Sequence, residues 1–106
     1  MRLLTRTEAF VLLAVWRLQD HAYSIPLCDE LTALSGKKWS LGAVYMPLER
    51  LEKKGLVSSY LSGSTPERGG RQKRIYQLTR SGKKALLEVR EVEQRFWSGI
   101  PQLTLD

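Results

Sequence analysis

Apolar and polar positions change their period along the chain, and those changes divide it into elements. Thr5-Arg6-Thr7-Glu8 has the form of a capping box, in which the Thr5 hydroxyl accepts from the Glu8 amide and the Glu8 carboxylate reaches back, so a helix is predicted to start near Arg6. From Ala9 to Leu18 nearly every residue is apolar, and a helix hydrophobic around most of its circumference must be covered on more than one side. In a chain this small, a second protomer is the natural cover for the extra side. After the polar break Gln19-Asp20-His21, Ser24 is the expected cap of a second helix, with Pro26 tolerated in its first turn. Ile25, Cys28, Leu31 and Leu34 supply its apolar stripe, and Ser35-Gly36 ends it. Ser40 is the next N-cap, followed by Leu41, Val44, Leu48 and Leu51 on the inner side of a third helix that ends at Gly55.

Beyond Gly55 the period drops to two: Val57, Ser59 and Leu61 alternate with their neighbours, as do Tyr76 and Leu78, which predicts two strands of a hairpin with its tip at residues 63–71. Thr79 then caps a fourth helix, along which Ala85, Val89, Val92 and Phe96 form a coiled-coil-like seam. Near Trp97-Ser98-Gly99-Ile100-Pro101 that helix stops and a short tail remains. The expected fold is mainly α with a small β-hairpin. Residues 1–79 make a winged helix-turn-helix and 80–106 a C-terminal dimerisation helix with its tail.

Length and composition narrow the function. With 106 residues there is room for one core. One cysteine and one histidine, Cys28 and His21, leave no material for a disulfide or a Cys and His metal cluster, so no metal or cofactor is expected and a reducing, cytoplasmic setting fits. The apolar run of the first helix is too short to span a bilayer, so no membrane partner is expected. The net charge of +6 sits in one stretch: residues 66–84 hold seven basic residues against Glu67 alone, while the rest of the chain balances ten against ten. A one-sign block is the footprint of a phosphate-binding element.

In a winged helix-turn-helix the third helix enters the major groove with its first turns, and the hairpin wing leans on adjacent phosphates. The outward positions of the third helix are then Ser40, Gly42, Ala43, Met46, Pro47, Arg50 and Lys54. Small residues admit the backbone close to the base edges; Ala43 and Met46 suit thymine methyls, and Arg50 suits guanine or phosphate. Gly42 and Ala43 have an alternative reading as small residues for close packing against the second helix. Lys37, Lys38 and Tyr23 flank the exposed helix starts, and Arg68, Gly70, Arg71 and Lys73 belong to the wing, where glycine allows the backbone to present the cations. The expected partner is double-stranded DNA. A flexible RNA binder or protein-interaction winged helix is the rival reading, suggested by Arg68-Gly69-Gly70, although the strands lack the stacked aromatics of single-strand platforms. An enzyme is not expected, since His21 is isolated and no glycine-rich phosphate loop precedes a helix.

Ala22-Tyr23-Ser24, the run Leu41-Gly42-Ala43-Val44-Tyr45 into Leu48-Glu49-Arg50-Leu51-Glu52-Lys53-Lys54-Gly55-Leu56-Val57, and Arg68-Gly69-Gly70-Arg71 leading to Tyr76-Gln77-Leu78-Thr79-Arg80-Ser81-Gly82 occur in an order and spacing that resembles the PadR family of bacterial transcriptional regulators. The resemblance covers roughly residues 5 to 86. It implies a homodimeric repressor whose C-terminal helix packs against the partner subunit, with Phe10, Leu13 and Trp16 of the first helix and Ala85, Val89, Val92 and Phe96 of the fourth as the expected interface. It further implies relief by a small aromatic or cationic effector at that interface, where Trp16, Phe96 and Trp97 are either its lining or plain packing. Pro47 departs from the pattern, because an interior proline costs about 3 kcal/mol in a helix. Either the third helix kinks there, or its regular part begins only near Met46.

Overall fold

The computed structural model describes residues 3–63 and 72–106. Helix α1 (Arg6–Leu18) leads through a 3-10 turn at Gln19–His21 into α2 (Ser24–Ser35) and α3 (Leu41–Lys53). Strands β1 (Val57–Leu61) and β2 (Arg74–Leu78) pair antiparallel with Val57 opposite Leu78 and Leu61 opposite Arg74, and α4 (Arg80–Trp97) follows. This is the expected winged helix-turn-helix with a long final helix.

The caps account for most of the boundaries. The Thr5–Glu8 box is closed in both directions, Ser40 Oγ accepts the Ala43 amide, and Thr79 Oγ1 accepts the Gly82 amide. Gly36 ends α2 at φ 73 and Gly55 follows α3 at φ 76, the left-handed region where a side chain is strained. Ser24 is not a cap but the first residue of α2: Tyr23 takes the N-cap position and makes no side-chain capping bond.

One core joins α1, α2, α3 and the hairpin, built on Val11, Leu12, Val15, Ala22, Leu27, Leu31, Val44, Leu48, Leu51, Val57 and Tyr76. The Tyr76 amide donates to the Ala22 carbonyl at 2.8 Å, tying β2 to the stretch after the 3-10 turn. In α2 the inward pair is Leu27 and Leu31, while Ile25 and Leu34 of the expected stripe are exposed. Leu31 and the half-buried Cys28 of that stripe do face the core, but positions spaced strictly by three drift around a helix of 3.6 residues per turn, so its outer members Ile25 and Leu34 leave that face and Leu27 takes their place.

Helix α3 corrects the sequence reading at both ends of its first turns. It is helical from Leu41, so the delayed start near Met46 does not occur. Leu41 is exposed, and Pro47, expected to face out, is buried beside Val44, Leu48 and Leu51. The missing proline amide costs the Ala43 carbonyl its partner, but Ala43 is exposed and water can serve that carbonyl. The buried ring offsets part of the penalty by removing apolar surface from water.

Candidate nucleic-acid interface

The turn between α2 and α3 is fixed by a short chain of hydrogen bonds. Ser35 Oγ accepts from the Lys37 amide at 3.1 Å and from Trp39 Nε1 at 3.1 Å. The Trp39 amide donates to Thr32 Oγ1 at 3.1 Å, and the Trp39 carbonyl accepts from Cys28 Sγ at 2.8 Å. With the half-buried Trp39 held from three sides, Ser40 is set where it caps α3, and Lys37 and Lys38 project into solvent on the turn before it.

The outward face of α3 is small at Gly42 and Ala43 and becomes large further along at Met46 and charged at Glu49 and Arg50. Gly42, Ala43, Met46 and Arg50 are all exposed. A Cβ built on Gly42 would meet only Ser40 Oγ, at 4.0 Å, which removes the reading of Gly42 as a close-packing residue against α2. Glu49 shares this exposed side. Lys54 belongs elsewhere: its Nζ lies 2.7 Å from Glu8 Oε2 and secures the end of α3 to the start of α1. Burial alone would raise the Glu8 carboxyl, but the Lys54 ammonium and the Thr5 hydrogen bonds outweigh it and hold the group below its ordinary range.

The base of the wing reaches α2. Ser62 and Lys73 close the described part of the hairpin, Ser62 N donating to Lys73 O at 2.8 Å and Lys73 N to Ser62 Oγ at 3.0 Å. The Lys73 ammonium then donates to Tyr23 Oη at 3.2 Å and stands 4.4 Å from the centre of that ring, a cation–π contact at the N-cap of α2. Of the expected site residues, Tyr23 and Lys73 are thus brought together; Lys37, Lys38, Ser40, Gly42, Ala43, Met46 and Arg50 share the α2–α3 turn and the exposed side of α3. Arg68, Gly70 and Arg71 lie outside the described residues.

A polar network missed at the level of sequence joins α3 to the hairpin. Ser59 Oγ donates to Glu52 Oε2 at 2.8 Å and accepts from Arg74 Nη1 at 2.9 Å. Beside it, burial pushes the Tyr76 phenol above its ordinary range, and the neighbouring Tyr45 and Glu52 add to this against the opposing pull of Arg74. The basic block is also less uniform than its sequence suggests. Arg80, Lys83 and Lys84 ride on α4 rather than the wing, and Lys83 Nζ sits 5.1 Å from the centre of the Trp16 ring.

The other expected surface separates into two faces. On α1, Phe10, Leu13 and Trp16 recur every third residue and are each at least 40% exposed, while Val11, Leu12 and Val15 are buried. On α4, Ala85, Val89 and Val92 are half-buried and Phe96 is exposed. A groove of about 550 Å³ runs between the two helices; Leu86 and Leu87, which the seam pattern did not single out, line it together with Val89.

A family model for the transcriptional regulator PadR-like family matches residues 12–88 of the chain. The chain belongs to the PadR-like family of transcriptional regulators. That family is one of transcription regulators rather than enzymes. Solved structures carry the same fold. RosR of Halobacterium salinarum is 23% identical, with a TM-score of 0.70 over 92% of this chain and 81% of that one. A PadR-like transcription factor from Bacteroides fragilis is 22% identical, with a TM-score of 0.68 over 86% and 85%. Pex from a Synechococcus strain is 23% identical, with a TM-score of 0.60 over 90% and 85%. No curated relative matches by sequence. Among the described residues of this PadR-like regulator, no helix is long and apolar enough to cross a membrane.

Proposed function

We propose that this PadR-like chain is a homodimeric, sequence-specific repressor that binds double-stranded DNA in the cytoplasm and is released by a small aromatic or cationic effector. Residues 1–79 read the duplex and 80–106 hold the dimer. The observation that carries the reading is the front of α3: capped at Ser40, open around Gly42, and flanked by the cations of the preceding turn. Such a front lets the backbone approach base edges, with Met46 and Arg50 discriminating among them and Lys37, Lys38, Tyr23 and Lys73 engaging phosphates. The wing residues Arg68, Gly70 and Arg71 extend that phosphate contact. Phe10, Leu13, Trp16, Ala85, Val89, Val92 and Phe96 form the dimer seam, and the groove between α1 and α4 is the place for the effector.

The test is selection of bound fragments from a random duplex pool, followed by titration against duplex DNA and structured RNA at two salt concentrations. The expected result is an inverted repeat with half-sites about 34–36 Å apart and a log-log salt slope of about −5 per protomer. Met46→Ala and Arg50→Ala change the recovered sequence, whereas Lys73→Ala weakens all duplexes alike. Preference for RNA, or no binding to either, defeats the reading.

A further inference from the structure

On α3 the buried Val44, Pro47, Leu48 and Leu51 define the inner side, and each residue turns the helix by about 100°. Directly opposite them, to within about 30°, stand Gly42, Met46, Glu49 and Lys53, all exposed. Arg50 and Ala43 lie about 70° to 90° to one side of that stripe, and Tyr45 about as far to the other. The stripe changes character along its length. It opens without a side chain at Gly42, is apolar at Met46, anionic at Glu49 and cationic at Lys53, and Lys37 and Lys38 occupy the turn before it.

Glu49 is the member of the stripe that a polyanionic partner leaves to be explained. Among the described residues its carboxylate takes part in no ion pair or hydrogen bond, and neither Arg50 nor Lys53 reaches it. The other acid of the helix, Glu52, accepts from Ser59 Oγ, and Glu8 is held by Lys54. Glu49 therefore ties no element of the fold to another. On a surface that approaches phosphates its charge is repulsive wherever no donor meets it.

We propose that Glu49 reads cytosine in the major groove, accepting from its N4 amino group, and so fixes one base of each half-site. This deepens the DNA-binding reading above and rests on it. With 13 residues, α3 is about 20 Å long against a groove about 12 Å wide. The cations at its two ends then meet the phosphate walls, while Met46 and Glu49, about 4.5 Å apart along the axis, face the base edges between them. There a carboxylate discriminates sharply. Guanine and thymine present only acceptors and a methyl group, and the amino group of adenine lies beside the N7 acceptor; cytosine offers an amino group without that neighbour. Because the carboxylate is repelled at every other base and at the backbone, it selects by exclusion as well as by contact.

The test starts from the duplex that the full chain selects out of a random pool. Each position of both half-sites is replaced in turn by all four base pairs, and the set is titrated by fluorescence anisotropy with the parent, Glu49→Gln and Glu49→Ala, whose helix content is checked by circular dichroism. The parent should prefer cytosine about tenfold at one position of each half-site. Glu49→Gln should move that preference to adenine, because a carboxamide donates to N7 and accepts from N6, and Glu49→Ala should level the four bases there. That position should lie within about two base pairs of the one that Met46→Ala relaxes, as the short rise between the two residues requires. A uniform rise in affinity, with the parent's base order kept at every position, makes Glu49 a surface charge only; it overturns the proposal and leaves the DNA-binding reading standing. A change confined to the position that Arg50→Ala relaxes does the same, since Glu49 would then act only by orienting that guanidinium. If the parent selects no duplex, the DNA-binding reading fails first and takes the cytosine contact with it.

Discussion

Replacing Gly82 by alanine sets two effects of opposite sign against each other at the joint between the winged unit and α4. Gly82 is the third residue of α4 and is buried. Alanine is the better helix former by about 1 kcal/mol, so propensity alone predicts a gain. Yet a Cβ at this position would overlap the carbonyl oxygen of Leu56 and stand 3.1 Å from its carbon. That oxygen accepts the Thr79 amide at 3.1 Å, and Thr79 Oγ1 donates to the adjacent Gly55 carbonyl at 2.7 Å. The obstacle is backbone held at two points, so no rotamer change relieves it, and the cost falls at the upper end of overpacking, about 3 kcal/mol. The net loss is about 2 kcal/mol, or roughly 10 °C in Tm for a chain of this size. Melting followed by circular dichroism at fixed chain concentration, with the oligomeric state checked by sedimentation, measures it. A midpoint equal to or above the parent's would mean that α4 does not start clamped against Leu56.

Glu8 is held below its ordinary value of 4.5 when folded, so its contribution to stability is complete above the unfolded carboxylate range and drains as pH falls through that range to the folded value. Glu8→Gln should flatten this acid limb in urea titrations and cost about 1 to 2 kcal/mol at neutral pH, less than for a fully buried pair because the Lys54 side chain is 35% exposed; an unchanged acid limb counts against the ion pair. Ser40→Ala removes the cap of α3 and should cost about 1 kcal/mol, read as a lower urea midpoint, and the cap assignment falls if the midpoint stays put. Trp16→Glu places a charge on the exposed face of α1 and should give a monomer of unchanged helix content; a dimer of the parent's affinity would remove α1 from the interface.

The elements were legible because their signals are local. A capping box, two serine or threonine caps and two left-handed glycines stand within three or four residues of the boundaries they set. What the sequence hid was long-range. The Tyr23–Lys73 contact spans fifty positions, and Lys54–Glu8 spans forty-six. No periodicity reports such pairs. Lys54 read as an outward cation because a helical pattern gives direction only, and it could not tell that α1 presents a buried carboxylate there. Pro47 misled in the opposite sense. A rule about lost amides predicts that proline avoids the helix interior, but the lost partner falls on exposed Ala43 and the ring falls in the core, so tertiary packing decides.

The wing is attached by contacts of a different kind from those of the core. Helices α1, α2 and α3 meet through buried aliphatic side chains, whereas the outer part of the hairpin meets α3 through Glu52, Ser59 and Arg74 and meets α2 through Lys73 on Tyr23. Each of these hydrogen bonds has one charged partner and lies on the exposed surface, where water and salt screening hold its contribution to about 1 kcal/mol or less, and an exposed cation–π contact contributes about 0.5 to 1 kcal/mol. Exchanging one such contact for another costs little, while moving Leu48 or Val57 out of the core costs several times more. On the proposed DNA-binding reading, a phosphate therefore draws the Lys73 ammonium from the Tyr23 ring at small expense and gains a charge-assisted bond in return. The pairing of Glu52, Ser59 and Arg74 keeps β1 and β2 in register with α3 while that exchange takes place. On that same reading, base recognition belongs to α3, anchored in the core through Val44, Leu48 and Leu51, and backbone contact to Lys73, held by exposed polar contacts.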